Sequence, residues 1–325
     1  MGIDWRPFVE IVREHKSFVL TSHMRPDCDA IGSELGLALA LRSLGKEARI
    51  VNGDTVPPHI AFIDPKHDVL TLGRDIQAAD VRPDVLIVVD TSAWAQLGPM
   101  GDVVRNSAAK KIVIDHHVSQ DNLSAIVFKD VQSEATGRLI LSAIDALGAS
   151  VTPQIAEPLF AAIATDTGWF RFNSVTALTF AAAGRLVHSG ASPSSIFTSL
   201  YEQNTLARLH LQGRILTAAK TECDGRLIYS GATPQDLAET GAEATDTEDV
   251  VNRLLGITGV EVALLFLELG PNETKVSLRS RTAFDVRKIA EQFGGGGHTA
   301  ASGVRYPGAL ADAVKALTGA VRAAI

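Results

Sequence analysis

Two short apolar runs, each closed by an aspartate, constrain this chain most. Val85-Leu86-Ile87-Val88-Val89 ends in Asp90, and Lys111-Ile112-Val113-Ile114 ends in Asp115. Runs this short read as buried strands rather than helices. A strand that is apolar on both of its alternating faces belongs in a sheet covered on both sides, as parallel sheets are. Further strands are expected over 17–22 and 48–52. Longer periodic stretches predict helices over 30–44, closed by Gly45, and over 134–147, 155–165, 177–188 and 196–201. Strands interleaved with helices predict an α/β fold with a doubly wound, mainly parallel sheet.

The character changes after about residue 204. A connecting helix is expected over 206–221, then strands over 226–230, 260–269 and 275–280 with a hairpin-like turn at Gly270-Pro271-Asn272. This predicts a first domain over 1–203, a helical linker over 204–220 and a smaller α+β domain over 221–325. A length of 325 residues accommodates two domains.

Composition excludes several function classes. Hydrophobic residues are 46 % and charged residues 21 %, enough for a sizeable core. No apolar run approaches the roughly 18 residues that span a membrane. The start, Met1-Gly2-Ile3-Asp4-Trp5-Arg6, carries neither a secretory apolar stretch nor a myristoylation signal. Two cysteines, Cys28 and Cys223, make no disulfide framework, so a cytoplasmic location is expected. The net charge of -7 argues against coating long duplex nucleic acid. An aromatic content of 6 % argues against extended base-stacking platforms.

The chemistry-bearing residues fall at element ends. Ser22-His23-Met24-Arg25-Pro26-Asp27-Cys28-Asp29 lies where a strand gives way to a helix, the position at which open α/β sheets bind ligands. Helix capping would account for Asp29, and the helix dipole for Asp27, but neither accounts for His23. Asp90 ends a strand, where a buried carboxylate needs a partner or a cation; capping the turn at Thr91-Ser92 is the plainer alternative. Asp115-His116-His117 again follows a strand, and metal binding outweighs a solvated turn there. Asp166 ends an apolar helix, where the dipole disfavours a carboxylate, so a metal or the nearby Arg171 must compensate. No cysteine pair has zinc spacing. Carboxylates with a few imidazoles suit Mn²⁺ or Mg²⁺, and more than four ligands suit two ions about 3.5–4 Å apart.

In the second domain, Phe293 precedes Gly294-Gly295-Gly296-Gly297-His298. A glycine run frees backbone N–H groups for an anion, although a bare run is usually a hinge or surface loop. Between 275 and 305 six Lys and Arg stand against two acids, a local basic patch that favours phosphate binding. No Gly-Lys-Ser/Thr follows, so this is not a nucleoside-triphosphate P-loop.

Ser22-His23, Pro26-Asp27, Asp29, Asp90, Asp115-His116-His117 and Asp166-Thr167-Gly168 together resemble the four motifs of the DHH phosphoesterase family. Lys275-Val276-Ser277-Leu278-Arg279-Ser280 with the glycine run is similar to its DHH-associated substrate domain. The resemblance covers nearly the whole chain and points to the nanoRNase and pAp-phosphatase branch. It implies that His23, Asp27 and Asp90 hold one divalent cation and that Asp29, Asp90, His116 and Asp166 hold a second, Mn²⁺ before Mg²⁺, with Asp90 bridging. Asp115 would orient a ligand imidazole, and His117 would face the scissile phosphate or the departing oxygen. Arg279, Ser280, Gly295, Gly296, Gly297 and His298 would grip the substrate. Cys28 stands where the family commonly has Gly, and a thiol so near a metal could oxidise or bind a soft ion.

The implied reaction is attack of a hydroxide held by two metals on a phosphoester. The expected substrates are short RNA, cleaved to 5′-mononucleotides, and pAp, relieved of its 3′-phosphate. Alternatives are a cyclic di-AMP or pApA phosphodiesterase and a catalytically silent nucleotide-binding regulator. A pyrophosphatase would need a different C-terminal signature, and a processive exonuclease an added domain. The apolar helices 177–187 and 206–219 could serve a homodimer or the core.

Overall fold

The computed structural model describes residues 2–281 and 283–325. The chain divides into two compact units, Met1–Gln203 and Asn204–Ile325. Each has its own six-stranded sheet.

The first unit runs α1 (Arg6–Glu14), β1 (Ser17–Thr21), α2 (Cys28–Ser43), β2 (Glu47–Asn52), β3 (Val69–Thr71), β4 (Val85–Val89), α3 (Met100–Asn106), β5 (Lys110–Asp115) and β6 (Ile126–Lys129). Four helices complete it: α4 (Thr136–Leu147), α5 (Pro153–Asp166), α6 (Ala177–His188) and α7 (Pro193–Tyr201). The strand order is β3-β2-β1-β4-β5-β6 and every pair is parallel. The chain therefore winds outward from β1 to β3, returns to the other side of β1 for β4, and winds outward again. Connections diverge at the C-terminal ends of β1 and β4, which leaves a crevice there.

Alternation along β4 explains its uniform apolarity. Val85, Ile87 and Val89 join the large core beneath α2, whereas Leu86 and Val88 join a separate cluster with Leu97 and Val104. Helix α2 is buried over most of its surface because the sheet, α4 and α5 all pack on it. Its close approach to α5 depends on glycine. A Cβ on Gly32 would stand 2.3 Å from the Pro158 carbonyl oxygen, and one on Gly36 would strike the Leu159 side chain.

The second unit runs α8 (Leu206–Thr217), β7 (Lys220–Glu222), β8 (Leu227–Ala232), α9 (Pro234–Thr240), α10 (Val250–Leu255), β9 (Val262–Gly270), β10 (Glu273–Ser280), α11 (Val286–Glu291), β11 (Gly296–His298), β12 (Ala301–Tyr306) and α12 (Leu310–Ala324). Its sheet order is β11-β12-β10-β9-β8-β7, antiparallel except for β8 with β9. A doubly wound parallel sheet with a smaller α+β unit is the architecture anticipated from the patterning.

Two local expectations are corrected. Helix α8 ends at Thr217 rather than 221, because Lys220–Glu222 turns back at Cys223, Asp224 and Gly225 to pair with β8. The glycine run is no free loop. Gly294 and Gly295 donate their N–H groups to the Glu291 and Ala290 carbonyls, and Gly296–His298 forms edge strand β11. Among the described residues, no helix is long and apolar enough to cross a membrane.

Because α2 carries Asp29 and α5 carries Asp166, the glycine contact also sets the spacing of those carboxylates. Gly32→Ala should destabilise the first unit by about 1–3 kcal/mol through overpacking, a fall of about 2–4 °C in Tm per kcal/mol. Thermal unfolding against the wild type measures this; an unchanged midpoint would show that the interface can relax.

Candidate metal centre

Five segments deliver the acidic and imidazole groups to the C-terminal edge of the first sheet. The loop after β1 supplies His23 and Asp27, the first turn of α2 supplies Asp29, the residue after β4 is Asp90, and β5 leads into Asp115, His116 and His117. Asp166 arrives as the last residue of α5. Ligand-bearing atoms converge in three overlapping groups: His23, Asp27 and Asp90; Asp29, His116 and Asp166; and Asp90, His116 and His117.

Both inner imidazoles are prepared as donors of a lone pair. The His23 Nδ1 lies 3.0 Å from the Met24 carbonyl oxygen, and the His116 Nδ1 lies 3.1 Å from that of Ser133. A carbonyl can only accept, so Nδ1 carries a proton, and in the neutral ring Nε2 is the nitrogen left with a lone pair. The His23 Nε2 stands 3.3 Å from Asp90 Oδ2 and 3.9 Å from Asp27 Oδ1. The His116 Nε2 stands 3.5 Å from Asp166 Oδ2, 3.6 Å from Asp90 Oδ1 and 3.8 Å from Asp29 Oδ2. Asp90 thus faces both imidazoles with different oxygens.

The backbone at Asp90 is bent to achieve this. Its φ is 61°, a left-handed conformation that costs an L-residue about 1–2 kcal/mol. Its N–H still bonds the Ile114 carbonyl, and Thr136 Oγ1 donates to Asp90 Oδ1 at 2.8 Å. Strained ligand-bearing positions of this kind mark functional sites.

Asp29 and Asp27 exchange the helix roles that patterning suggests. Asp27 is the N-cap of α2, its Oδ1 accepting the N–H groups of Asp29 and Ala30. Asp29 caps a different helix: it accepts the Thr136 N–H at 2.7 Å and the Gly137 N–H at 2.8 Å at the start of α4. Gly137 is required there, since a Cβ would stand 2.8 Å from that of Ala162 and 3.3 Å from Asp29 Oδ1.

Asp115 orients His117, not the inner imidazole His116. It accepts the His117 N–H at 3.0 Å and the His117 Nδ1–H at 2.9 Å, and also bonds Ser92 Oγ at 2.6 Å and Lys129 Nζ at 2.9 Å. Burial would raise its pKa, but the bonds from His117, Ser92, the His117 backbone and Lys129 outweigh it and hold it well below the usual carboxylate range. The same bond raises the His117 pKa, reinforced by nearby Asp90 and Asp166. Arg171 does not compensate Asp166; its Nε donates to the Gly168 carbonyl.

Asp29, Asp90 and Asp166 have only imidazoles as cationic neighbours, and these do not offset burial. Burial, then repulsion from Asp166, raises Asp29 to about 6. Burial, then repulsion from Asp27, raises Asp166 to about 6. Burial and Asp29 hold Asp90 well above the ordinary range. Acids gathered so that they repel one another, around imidazoles with free Nε2 atoms, fit divalent cations. Cys28 does not join them: its side chain is buried in the apolar core, and burial first, then Asp27, pushes the thiol up to about 12. A thiol held in that form is a weak nucleophile.

Thr136, Ser92, Lys129 and Ser133 are not ligand types that a motif reveals; each hydrogen-bonds a candidate ligand or Asp115. In the second unit, the expected substrate residue Ser280 lies on β10. It is buried, and its hydroxyl donates to the Phe284 carbonyl.

Proton linkage gives a test. Without cations, folding retains protons on Asp29 and Asp166 up to about pH 6 that the unfolded chain releases near 3.8, so stability is lost as pH rises through that window. Cations must displace those protons. Mn²⁺ affinity should therefore tighten as pH rises from 5 to 6, by up to about tenfold per pH unit for each proton displaced. Calorimetry in buffers of different ionisation enthalpy should show net proton release at pH 5.5; pH-independent affinity would contradict the assigned ligand set.

Residues 17–163 match the DHH family, N-terminal domain, and residues 224–323 match the DHHA1 domain. The chain is 31 % identical to the bifunctional oligoribonuclease and PAP phosphatase NrnA of Thermus thermophilus, covering 89 % of this chain and 84 % of that protein. It is 27 % identical to the Bacillus subtilis protein of the same name over 91 % of each. The crystal structure of an exopolyphosphatase-related protein from Bacteroides fragilis superposes with a TM-score of 0.84 at 27 % identity, covering 98 % of this chain and 95 % of that one. Motifs, strand order and relatives agree, and the chain belongs to the DHH family, with a DHHA1 domain as its second unit.

Proposed function

We propose that this protein is a divalent-metal-dependent hydrolase that cleaves short oligoribonucleotides to 5′-mononucleotides and removes the 3′-phosphate of pAp. The observation that carries this is the sharing of Asp90 between two neighbouring ligand sets, one on each of its oxygens. His23, Asp27 and Asp90 would hold one cation, and Asp29, Asp90, His116 and Asp166 the other. When bound, the cations, Mn²⁺ or Mg²⁺, supply Lewis-acid neutralisation of phosphoryl charge and activate water near neutral pH.

The chain's own groups would do the rest. The His117 Nδ1–H is fixed on Asp115 Oδ1, which turns the ring's Nε2 into the nitrogen available to a substrate. With its pKa raised by that bond, His117 can hold a proton at Nε2 for the departing oxygen. Its side chain is about half exposed, as a group that must meet a substrate should be.

A substrate grip is supported by register in the second unit. Arg279 pairs with Ala301 and Ala301 with His298, so the three lie side by side across β10, β12 and β11. Directly paired residues point to one face of a sheet. On the same face lie Ser277, Gly303 and Gly296, then Lys275 and Arg305. The opposite face carries buried Val276, Leu278 and Val304. The result is a glycine-floored surface with cationic walls, suited to a phosphate or a nucleotide. Close packing explains two of the glycines: a Cβ on Gly295 would stand 2.2 Å from the Gly303 carbonyl oxygen, and one on Gly297 2.5 Å from that of Ala301. Gly296 has open space around it.

Rates on pAp, pApA, a two-to-five-nucleotide RNA ladder and cyclic di-AMP in Mn²⁺ decide the substrate. Pronounced activity on cyclic di-AMP alone would favour a cyclic-dinucleotide phosphodiesterase, and none at all a silent regulator. Asp90→Asn should lower kcat by about 10²–10⁴-fold, since several kcal/mol of charge neutralisation is lost. Arg279→Ala should lower kcat/KM by about 10–150-fold with unchanged Mn²⁺ binding, the value of a charge-assisted hydrogen bond. Full activity of Asp90→Asn would sink the shared-ligand reading, and full activity of Arg279→Ala the substrate grip.

A further inference from the structure

One fully buried carboxyl belongs neither to a ligand set nor to the Asp115–His117 pair. Glu34 lies on α2 and is 0 % exposed, among apolar neighbours Leu35, Leu37 and Ala38. Its Oε2 accepts the Asn52 Nδ2–H at 2.8 Å. Asn52, the last residue of β2, turns its Oδ1 to the end of β1, where it accepts the Ser22 N–H at 3.1 Å and the Thr21 hydroxyl at 3.3 Å. The other Glu34 oxygen, Oε1, and the Ser22 hydroxyl are both buried, and among the described residues neither has a partner within hydrogen-bond geometry. The two nonetheless interact electrostatically.

Stability does not explain this arrangement. A leucine of similar volume would suit the interface between α2 and the sheet, whereas a buried carboxyl with an unsatisfied oxygen is costly. Burial pushes Glu34 up to about 8, so it is carried as a neutral acid, the form that can accept with one oxygen and donate with the other. What the network reaches is the residue before His23. Ser22 is held through its N–H, and the His23 side chain must then bring Nε2 to Asp90.

We propose that Glu34 is a positioning residue of the metal centre, fixing the Ser22-His23 turn through Asn52 so that the His23 Nε2 is preset opposite Asp90. The proposal rests on His23 being a metal ligand, and adds to that reading a residue of α2 that touches no ion. Supports of this type typically change metal affinity by about 10–100-fold when removed.

The test uses the full chain stripped of metal, with Glu34→Leu and Glu34→Gln variants. Mn²⁺ uptake is followed by calorimetry and by the electron paramagnetic resonance of free Mn²⁺, and metal-free unfolding by its thermal midpoint. Glu34→Leu should unfold cooperatively at or above the wild-type midpoint while the apparent Kd of one of two Mn²⁺ equivalents weakens by about tenfold or more. Glu34→Gln, which can donate and accept as the neutral acid does, should stay within about threefold of wild type. Two wild-type-affinity sites in Glu34→Leu overturn the proposal, as does a lowered metal-free midpoint with both sites weakened equally, which assigns the network to stability alone. A wild type that takes up no Mn²⁺ overturns the ligand assignment beneath it, and is told apart by that control.

Discussion

Asp29, Asp90 and Asp166 repel one another, and the rest of the first unit is arranged to hold them together. Each is raised in pKa by burial and by neighbouring acids, so the cluster is under electrostatic load whenever it is ionised without cations. Hydrogen bonds relieve part of the load: Thr136 and Gly137 N–H groups on Asp29, and the Thr136 hydroxyl on Asp90. Backbone dipoles and hydroxyls cannot replace a positive charge, and divalent ions can.

Holding such a cluster requires a stiff frame. The parallel sheet fixes the ends of β1, β4 and β5 to within strand spacing of one another. Helix α2 is clamped against α5 by Gly32 and Gly36, and α4 is pinned through its first N–H groups to Asp29. The left-handed turn at Asp90 is the one strained position among these candidate ligands, and it lets one carboxylate face both His23 and His116. The two histidines at 116 and 117 are separated in role by their Nδ1 partners: a backbone carbonyl for His116 and the Asp115 carboxylate for His117.

Much of this was legible in the chain because ligand type and element end coincide. Apolar runs closed by Asp90 and Asp115, and the cluster from His23 to Asp29, announce themselves by composition. The supporting residues do not. Thr136, Ser92, Lys129 and Glu34 are ordinary residues whose importance comes from partners 14 to 107 positions away in the chain. Short edge strands such as β3, β7 and β11 were also hidden, since three residues carry too little periodicity to be seen. The place of the glycine run in an edge strand was hidden for a related reason: its glycines answer to the close approach of β12, which only the folded sheet reveals.

The sequence by itself determined the alternation of strands and helices, and hence the parallel sheet, because burial on both faces leaves no other use for such runs. It also determined which residue types crowd the sheet's edge. Tertiary structure alone decided which oxygen and nitrogen meet: that Asp115 serves His117, that Asp29 caps α4, that Ser280 is buried while Arg279 and His298 align, and that Cys28 is withdrawn into the core. These are outcomes of register, helix crossing and rotamer, and each is fixed by packing between segments far apart in the chain.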